Sequence, residues 1–373
     1  MINLKATGLI VEYNPFHNGH LFHLQQARDL TQAEVIIAVM SGDFVQRGEP
    51  AIINKWERTK QALLSGVDLV IELPFVFTNQ AASKFAYGAV TILDYLKTDY
   101  LVFGSETANL IELQDFADLN INPDNLKEIM KQGYAYPKAY GILAKEMGPN
   151  DILAVAYLKA LKNTAIQPIP IKRIDNNYHD LSLTGEISSA SAIRQAILNQ
   201  TDVSLQTAMA KTFLESEVYE LASYYPIIRH LLLTHPTLNS IALFSEGIEN
   251  HLRKTALNNL EFQDFINQAV SKRYTKSRIQ RLLINLLVNL NKIEFETLSQ
   301  QYQIRILGFN QMGRQYLNYL KEFELENIIT NFASLSDLNR KILTRLINSY
   351  LYPYSLASKK RLLKRELLPP IIF

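Results

Sequence analysis

The sequence predicts an α/β protein whose first half folds around a parallel sheet and whose second half is mostly α-helical. In the first half, short β-branched runs alternate with segments of helical apolar spacing, and turn residues separate them. From about Gln206 onward the strand pattern fades, and long helical segments rich in Leu, Ile and Tyr take over. A chain of 373 residues is long enough for two domains, which we predict at residues 1–205 and 206–373.

The predicted elements alternate along the first half, as expected when helices connect parallel strands. The predicted strands are residues 9–11, 34–40, 68–73, 100–103 and 169–174. The predicted helices between them are residues 20–30, 55–65, 81–96 and 152–162. In the second half, the clearest helical periodicity covers residues 277–290 and 338–351.

The composition excludes several classes of protein. The chain has no Cys, which excludes a disulfide framework, thiolate zinc sites and thiol catalysis. No run of about eighteen apolar residues occurs, and the N-terminus lacks the pattern of a signal peptide. We therefore expect a soluble, cytoplasmic protein without a membrane span. The net charge is only +2, so any binding of nucleic acid must use local basic patches.

A first motif, HNGH at residues 17–20, follows the first predicted strand and precedes a predicted helix. Ligands bind at the carboxyl ends of parallel strands, where a helix N-terminus offers free N–H groups to an anion. Gly19 permits a close approach, and His17 and His20 can direct two imidazoles at one phosphate. The alternatives are a zinc site formed with His23, or ordinary surface and core histidines. No HExxH pattern is present, so the position after a strand favours a phosphate site.

A second motif, ISSASAIR at residues 187–194, combines serines suited to helix capping with Arg194 one helical turn later. Hydroxyl and backbone N–H groups at such a helix start can hold phosphate oxygens, and Arg194 can add a charge-assisted hydrogen bond. The alternative is a plain helix cap followed by a solvated arginine. The pairing with the first motif favours a role in phosphate binding.

These two motifs resemble the signatures of the HxGH nucleotidyltransferase superfamily. Within it, the chain resembles the bacterial tRNA(Met) cytidine acetate ligases, in overall length and across the first half. The segments that carry this resemblance are VEYNPFHNGH at 11–20, SGDFVQRGEP at 41–50, FGSE at 103–106, PNDIL at 149–153 and YHD at 178–180. Many members of the superfamily have Thr at the position of Ala190, so the phosphate-binding serine remains open among Ser188, Ser189 and Ser191.

The resemblance implies a Rossmann-like nucleotidyltransferase domain, which binds ATP and catalyses the reaction, followed by a helical domain that binds tRNA. It also implies a two-step reaction, in which acetate and ATP form acetyl-adenylate and the acetyl group passes to N4 of the wobble cytidine of elongator tRNA(Met). Mg²⁺ is expected to accompany ATP. Two other functions remain open: an adenylyltransferase acting on a small cofactor precursor, and a non-catalytic RNA-binding protein with a vestigial nucleotide site.

By position, the resemblance implies that His17, His20 and Arg194 are catalytic, and it implies no protein-bound metal. The ATP-binding residues implied in the same way are Ile10, Val11, Glu12, Tyr13, Asn14, Pro15, Phe16, His17, Asn18, Gly19, His20, Leu21, Phe22, His23, Gly104, Asn150, Arg173, Ser188 and Ser189. The loop at 41–50 either lines the acyl or cytidine pocket or is only a polar connection. The sequence does not indicate an oligomeric state.

Basic segments in the second half are the candidates for contact with tRNA. The first contains Lys272, Arg273, Lys276, Arg278 and Arg281 around an aromatic residue at the start of a predicted helix. A second basic segment covers residues 359–365 near the C-terminus. Lys and Arg clusters bind phosphate backbones, although such a cluster can equally be a solvated helix face. The expectation of a tRNA substrate makes the first segment the predicted tRNA-binding patch.

Overall fold

The computed structural model of the protein describes residues 4–119, 128–132, 147–173, 183 and 185–373. Within these ranges, eight strands form one sheet, and a short hairpin of β3 and β4 lies apart from it. The strands are β1 (Ala6–Val11), β2 (Val35–Ser41), β3 (Phe44–Val45), β4 (Glu49–Pro50), β5 (Leu69–Leu73), β6 (Tyr100–Ser105), β7 (Gln167–Lys172), β8 (Ile304–Phe309), β9 (Ile328–Ile329) and β10 (Ile371–Ile372).

The helices of the first half lie between these strands or after them, and each of the four predicted helices is present with small differences at its ends. The helices are α1 (Asn18–Thr31), α2 (Lys55–Leu64), α3 (Phe75–Thr78), α4 (Ala82–Tyr95), α5 (Leu110–Asp118), α6 (Pro149–Leu161) and α7 (Ala190–Leu198). All five predicted strands are present, with small differences at their ends. Of the sequence predictions, Ile174 and the YHD segment at 178–180 lie outside the described residues.

The sheet order β10-β8-β5-β2-β1-β6-β7 places β1 in the middle of the sheet. From β1 the chain first builds one side of the sheet with β2 and β5, then crosses to the other side with β6 and β7, and all of these pairs are parallel. The carboxyl ends of β1 and β6 therefore border the point where the strand order reverses, which is where open α/β sheets bind ligands.

Alternate residues of β2 show that helices cover both faces of the sheet. Val35, Ile37 and Val39 pack into one core, and Ile36, Ala38 and Met40 into the other, and all six are fully buried. Helices α4 and α6 contribute to the first core, whereas α1, α2 and α7 contribute to the second. A strand that is buried on both faces is a continuous apolar run without alternation, and this run predicts β2 as a strand.

The second half is mostly helical, as predicted. Its helices are α8 (Ala210–Leu214), α9 (Tyr225–Thr234), α10 (Ile248–Asn258), α11 (Phe262–Ala269), α12 (Lys276–Val288), α13 (Lys292–Gln300), α14 (Gln311–Leu320), α15 (Asp337–Tyr350) and α16 (Leu356–Glu366). None of the helices in the described ranges is long and apolar enough to span a membrane.

The second half also returns to the sheet, although its sequence pattern predicts only helices. Strand β8 pairs antiparallel with β5, and β9 and β10 pair with β8. The pattern of β8 is interrupted by Arg305, whose charge is buried beside Glu72 and Glu366. A charged residue inside an apolar run breaks the pattern expected of a buried strand. The acidic partners that allow Arg305 to be buried lie far away in the sequence, so the pattern alone does not indicate a strand here. The domain division at residue 205 stays a prediction.

Candidate active site

An open cleft of about 1000 Å³ lies at the carboxyl ends of β1, β6 and β7, beside the start of α1. The cleft contains residues from both sequence motifs, which are separated by more than 160 positions in the chain. Its lining includes the predicted ATP-binding residues Ile10, Val11, Glu12, His17, Gly19, His20, Phe22, His23, Gly104, Asn150, Arg173, Ser188 and Ser189. The fold therefore assembles most of the predicted nucleotide site in one place.

His17 and His20 form an interlocked pair at the N-terminus of α1. His17 is the N-cap residue, and its Nδ1 accepts a hydrogen bond of 3.0 Å from the backbone N–H of Gly19. The Nδ1 of His20 accepts from the backbone N–H of His17 at 3.3 Å, which completes a capping box. The ring centroids lie 4.0 Å apart. A Cβ at Gly19 would lie 2.8 Å from Cε1 of His17, so glycine is required for this close packing.

These hydrogen bonds determine what each imidazole can donate. Because each Nδ1 accepts a backbone N–H, the neutral rings of His17 and His20 carry their proton on Nε2. Burial, with Arg173 and Arg194 adding to it, lowers the pKa of His17 to about 3. Burial and the neighbouring histidines hold the pKa of His20 well below its usual value. Both imidazoles are therefore neutral near neutral pH, and a ring N–H of His20 also bonds to the carbonyl oxygen of Pro15.

His23, one turn further along α1, has a different environment. Its Nε2 donates to the carbonyl oxygen of Val102 in β6 at 3.1 Å. Burial lowers its pKa to about 4, although the bond to Val102 partly opposes this. His23 therefore ties α1 to β6 at the base of the cleft. Over the described ranges, no three His, Asp or Glu side chains converge as a metal site.

Gly104, Asn150 and Arg173 lie together on the side of the cleft formed by β6 and β7. A Cβ at Gly104 would lie 3.2 Å from Cγ of Arg173, so the bare backbone leaves room for that side chain. The Nη1 of Arg173 donates to Oδ1 of Asn150 at 3.3 Å. Glu106 in turn accepts hydrogen bonds from the side chain of Asn150 at 2.7 Å and from the backbone N–H of Asp151 at 2.6 Å. Glu106 lies in the FGSE segment, but no local pattern indicates that it orients Asn150.

The second motif reaches the cleft through its serines. Ser189 caps α7 by accepting from the backbone N–H of Ala192 at 3.0 Å, and Ser188 is buried at the cleft wall. The guanidinium of Arg194 instead donates to the carbonyl oxygen of Asn14 at 2.9 Å and lies 3.9 Å from a carboxylate oxygen of Glu49. Arg194 thus supports the loop before His17 and is not among the lining residues. Its catalytic role stays a prediction.

The remaining residues of the predicted ATP-binding segment do not line the cleft, and they hold the loop between β1 and α1 in place. Asn14 forms a cis peptide with Pro15, and its Oδ1 accepts from the backbone N–H of Ile52 at 2.8 Å. Asn18 donates from Nδ2 to the carbonyl oxygens of Glu186 and Leu205 at 2.9 and 2.8 Å, which ties the first motif to the residue just before the second. Tyr13, Phe16 and Leu21 lie outside the lining as well, and the rings of Tyr13 and Phe16 pack against His20.

The loop after β2 contributes Gln46 and Arg47 to the lining, on the side of β1 opposite to Gly104. Arg58 of α2 holds this loop, since its buried guanidinium donates to the backbone carbonyls of Glu12, Ser41, Gly42 and Ile53. No sequence pattern indicates this role of Arg58, because an arginine whose hydrogen bonds go to backbone oxygens needs no acidic partners that a pattern could reveal.

The predicted tRNA-binding patch lies at the start of α12. Arg273 and Arg278 contact Glu246 at 3.3 and 3.4 Å and lie over the ring of Tyr274. Lys272 and Lys276 are exposed, and burial lowers the pKa of Arg281 to about 10. The patch adjoins the loop that carries Gln46 and Arg47, because Gly48 touches the backbone of Arg281.

Comparison with known proteins adds independent observations. A family model described as HIGH Nucleotidyl Transferase matches residues 4–365. A tRNA(Met) cytidine acetate ligase of Caldicellulosiruptor saccharolyticus is 40% identical over 86% of this chain and 86% of its own length. The crystal structure of Thermotoga maritima TmcAL in its apo form I superposes with a TM-score of 0.88, at 31% identity over 99% of this chain and 100% of that one. The same protein bound with alpha-thio ATP gives a TM-score of 0.84 at 32% identity, with the same two coverages.

Proposed function

Because the chain belongs to the HIGH nucleotidyl transferase family and, within it, to the tRNA(Met) cytidine acetate ligases, we propose that it attaches acetate to N4 of the wobble cytidine of elongator tRNA(Met) using ATP. The observation that carries this proposal is the cleft in which the neutral imidazoles of His17 and His20, the start of α1 and the start of α7 converge. A cleft of about 1000 Å³ has room for ATP and a second reactant.

The first step of the proposed reaction is adenylation of acetate. An acetate oxygen attacks the α-phosphorus of ATP, pyrophosphate leaves, and acetyl-adenylate remains in the cleft. His17 and His20 donate from Nε2 to phosphate oxygens as their charge increases in the transition state. The positive end of the helix dipole at the start of α1 adds a favourable partial charge. Gly104, Asn150 and Arg173 are proposed to hold the adenosine side of ATP.

Mg²⁺ is expected to enter with ATP, where it would neutralise part of the triphosphate charge. The described residues provide no cluster of three side chains that would hold the ion by itself.

The second step transfers the acetyl group to tRNA. The patch of Lys272, Arg273, Lys276, Arg278 and Arg281 is proposed to contact phosphates of the tRNA backbone, while the target base enters the cleft. Its position beside the loop that carries Gln46 and Arg47 supports this arrangement. We propose a cytoplasmic location, because the proposed substrate is a tRNA.

The test is to incubate the purified protein with labelled acetate, ATP and Mg²⁺, with and without bacterial tRNA. We expect label in tRNA only when ATP is present, and AMP and pyrophosphate as the other products. Formation of a nucleotide product on a small molecule, with no label in tRNA, would support an adenylyltransferase instead. Tight tRNA binding without ATP consumption would indicate a non-catalytic RNA-binding protein.

A further inference from the structure

Glu12 occupies a distinctive position in the cleft. It follows β1 directly, it is partly buried, and it lines the cleft together with His17 and His20. Its Oε1 accepts a hydrogen bond of 2.8 Å from the backbone N–H of Gln46, and its own carbonyl oxygen accepts one of 2.7 Å from Nη1 of Arg58. The side chain is thus fixed between β1 and the loop after β2, on the side of the cleft away from Gly104.

The charge of Glu12 does not suit a triphosphate. Glu12 is the only acidic residue in the segment from Ile10 to His23, all of which is predicted to bind ATP. A carboxylate repels phosphate oxygens, and the described residues offer no other two acidic or histidine side chains to form a metal site with it. A carboxylate does match an N–H donor, and the N4 amine of cytosine is such a donor.

The groups that face Glu12 come from several elements. Arg47 in the loop after β2 and Arg194 in α7 lower the pKa of Glu12, whereas Glu49 in β4 raises it. The hydroxyl of Tyr157 in α6 lies near enough for Glu12 to affect its pKa. The dominant effect on Glu12 is burial, and the net result is a raised pKa. A carboxylate with a raised pKa is a stronger base than a solvated one.

We propose that Glu12 binds the N4 amine of the target cytidine and accepts its proton during acetyl transfer. This inference rests on the proposed function. In the step, the N4 nitrogen bonds to the carbonyl carbon of acetyl-adenylate, and the bond from that carbon to the phosphate oxygen breaks. AMP leaves with the electron pair of that bond, and the proton of N4 passes to the carboxylate of Glu12 and then to water. Removal of the proton matters because the lone pair of this amine is delocalised into the pyrimidine ring.

The decisive variant is Glu12→Gln, which keeps an oxygen to accept from Gln46 and removes the basic carboxylate. The two half-reactions are measured separately, as acetate-dependent exchange of pyrophosphate into ATP and as single-turnover transfer from preformed acetyl-adenylate to tRNA. We expect transfer to fall by about 100-fold or more, the usual range for loss of a general base, and exchange to fall much less. The transfer rate of the wild type should rise with pH through the pKa of Glu12, and that rise should be absent in the variant.

A matched control is Glu106→Gln, because Glu106 is also a carboxylate of the cleft but bonds to Asn150. This variant should raise KM for ATP without a selective loss of transfer. Glu12→Asp retains a carboxylate and should recover part of the transfer rate, which also shows that the site still folds.

Three results would overturn the inference. If Glu12→Gln reduces exchange and transfer equally, Glu12 only positions the loop. If Glu12→Gln transfers acetyl as fast as the wild type, Glu12 has no part in transfer. If the wild type itself places no acetyl on tRNA while it still exchanges pyrophosphate, the proposed function fails, and the inference fails with it.

Discussion

Gln280 donates a hydrogen bond of 3.1 Å from its Nε2 to Oε1 of Glu49, which lies 231 residues earlier in the chain. This contact joins α12, the helix with the predicted tRNA-binding patch, to the loop that carries Gln46 and Arg47 at the cleft. Asn79 reinforces the junction by donating to the carbonyl oxygen of Arg281 at 3.0 Å. The patch and the cleft therefore share one wall, so a tRNA held by α12 would lie next to the nucleotide site.

The junction should be sensitive to substitution of Gly48. This residue has φ of +78°, and a Cβ there would collide with the backbone of Gln280 and Arg281. Gly48→Ala combines a positive-φ cost of about 1–2 kcal/mol with a backbone collision. Gly247→Ala is the matched control, since Gly247 has φ of +76° and no atom within 4 Å of its Cβ position. In urea unfolding, Gly48→Ala should lose at least about 1 kcal/mol more than the control. Equal losses of unfolding free energy in the two variants would show that the backbone at Gly48 can move away from that of Gln280 and Arg281 at no cost.

His17→Asn separates capping from catalysis. Asparagine is a good N-cap residue and can accept from Gly19, as Nδ1 of His17 does, but it places no donor at the position of Nε2. We expect acetate-dependent pyrophosphate exchange to fall by about 10²–10³-fold, as for loss of a transition-state hydrogen-bond donor. Affinity for tRNA should change little. His230→Ala, at an exposed position of α9, is the control that should leave both properties intact.

Because His17 is buried, the stability of the protein should depend on pH. The pKa of His17 is about 3 in the folded protein and about 6.5 when unfolded, so the unfolded chain binds more protons below pH 6.5. The contribution of His17 to stability is therefore lost as the pH falls from 6.5 toward 3. Between pH 7 and pH 5 the wild type should lose about 2 kcal/mol more than His17→Asn. Urea unfolding at the two pH values measures this difference, and parallel losses would mean that His17 is solvated.

The predicted patch should bind tRNA through phosphate contacts. Replacing three of its exposed cations should weaken binding and reduce the slope of log K against log salt by up to about three units. The variant is Lys272→Ala, Arg273→Ala and Lys276→Ala, and the charge-matched control replaces the exposed lysines Lys60, Lys254 and Lys321. Filter binding at several salt concentrations gives both slopes. The same slope in both variants would show that tRNA binding depends on the net charge of the protein and not on this patch.

Trp56 reports on the attachment of the C-terminal helix α16. It is the only tryptophan of the chain, it is buried, and its Nε1 donates to Glu366 at 2.9 Å. Glu366 also contacts Lys55 at 3.2 Å and Arg305 at 2.6 Å. Glu366→Ala should cost about 3 kcal/mol, because it removes one acidic partner from each of two buried cations, which keep Glu72 and, for Lys55, also Asp43.

The measurement for this variant is tryptophan emission during urea unfolding. A shift of the native emission to longer wavelength is expected, since Trp56 loses its hydrogen bond and gains water. Glu366→Gln should show a smaller effect, and Glu322→Ala, at an exposed position, should show none. An unchanged emission and midpoint for Glu366→Ala would exclude a role of α16 in protecting Trp56.

The elements predicted best are those whose partners are close in sequence. The run of β2 is apolar on both faces, and α1 follows β1 after a short loop, so local periodicity was sufficient for both. Strand β8 was missed because Arg305 interrupts it, and its partners Glu72 and Glu366 lie far from it in the chain. The backbone contacts of Arg58 were missed for a related reason, since carbonyl oxygens have no residue identity.

The sequence by itself determined the order of strands and helices in the first half, the two motifs and the family to which the chain belongs, because these depend on local spacing and residue type. Only the tertiary structure decided which side chains face the cleft. It turned Arg194 toward Asn14, set the proton of His17 and His20 on Nε2, and fixed Glu12 beside Gln46. Those properties depend on burial and on hydrogen bonds between distant segments, which exist only when the sheet and α12 pack together.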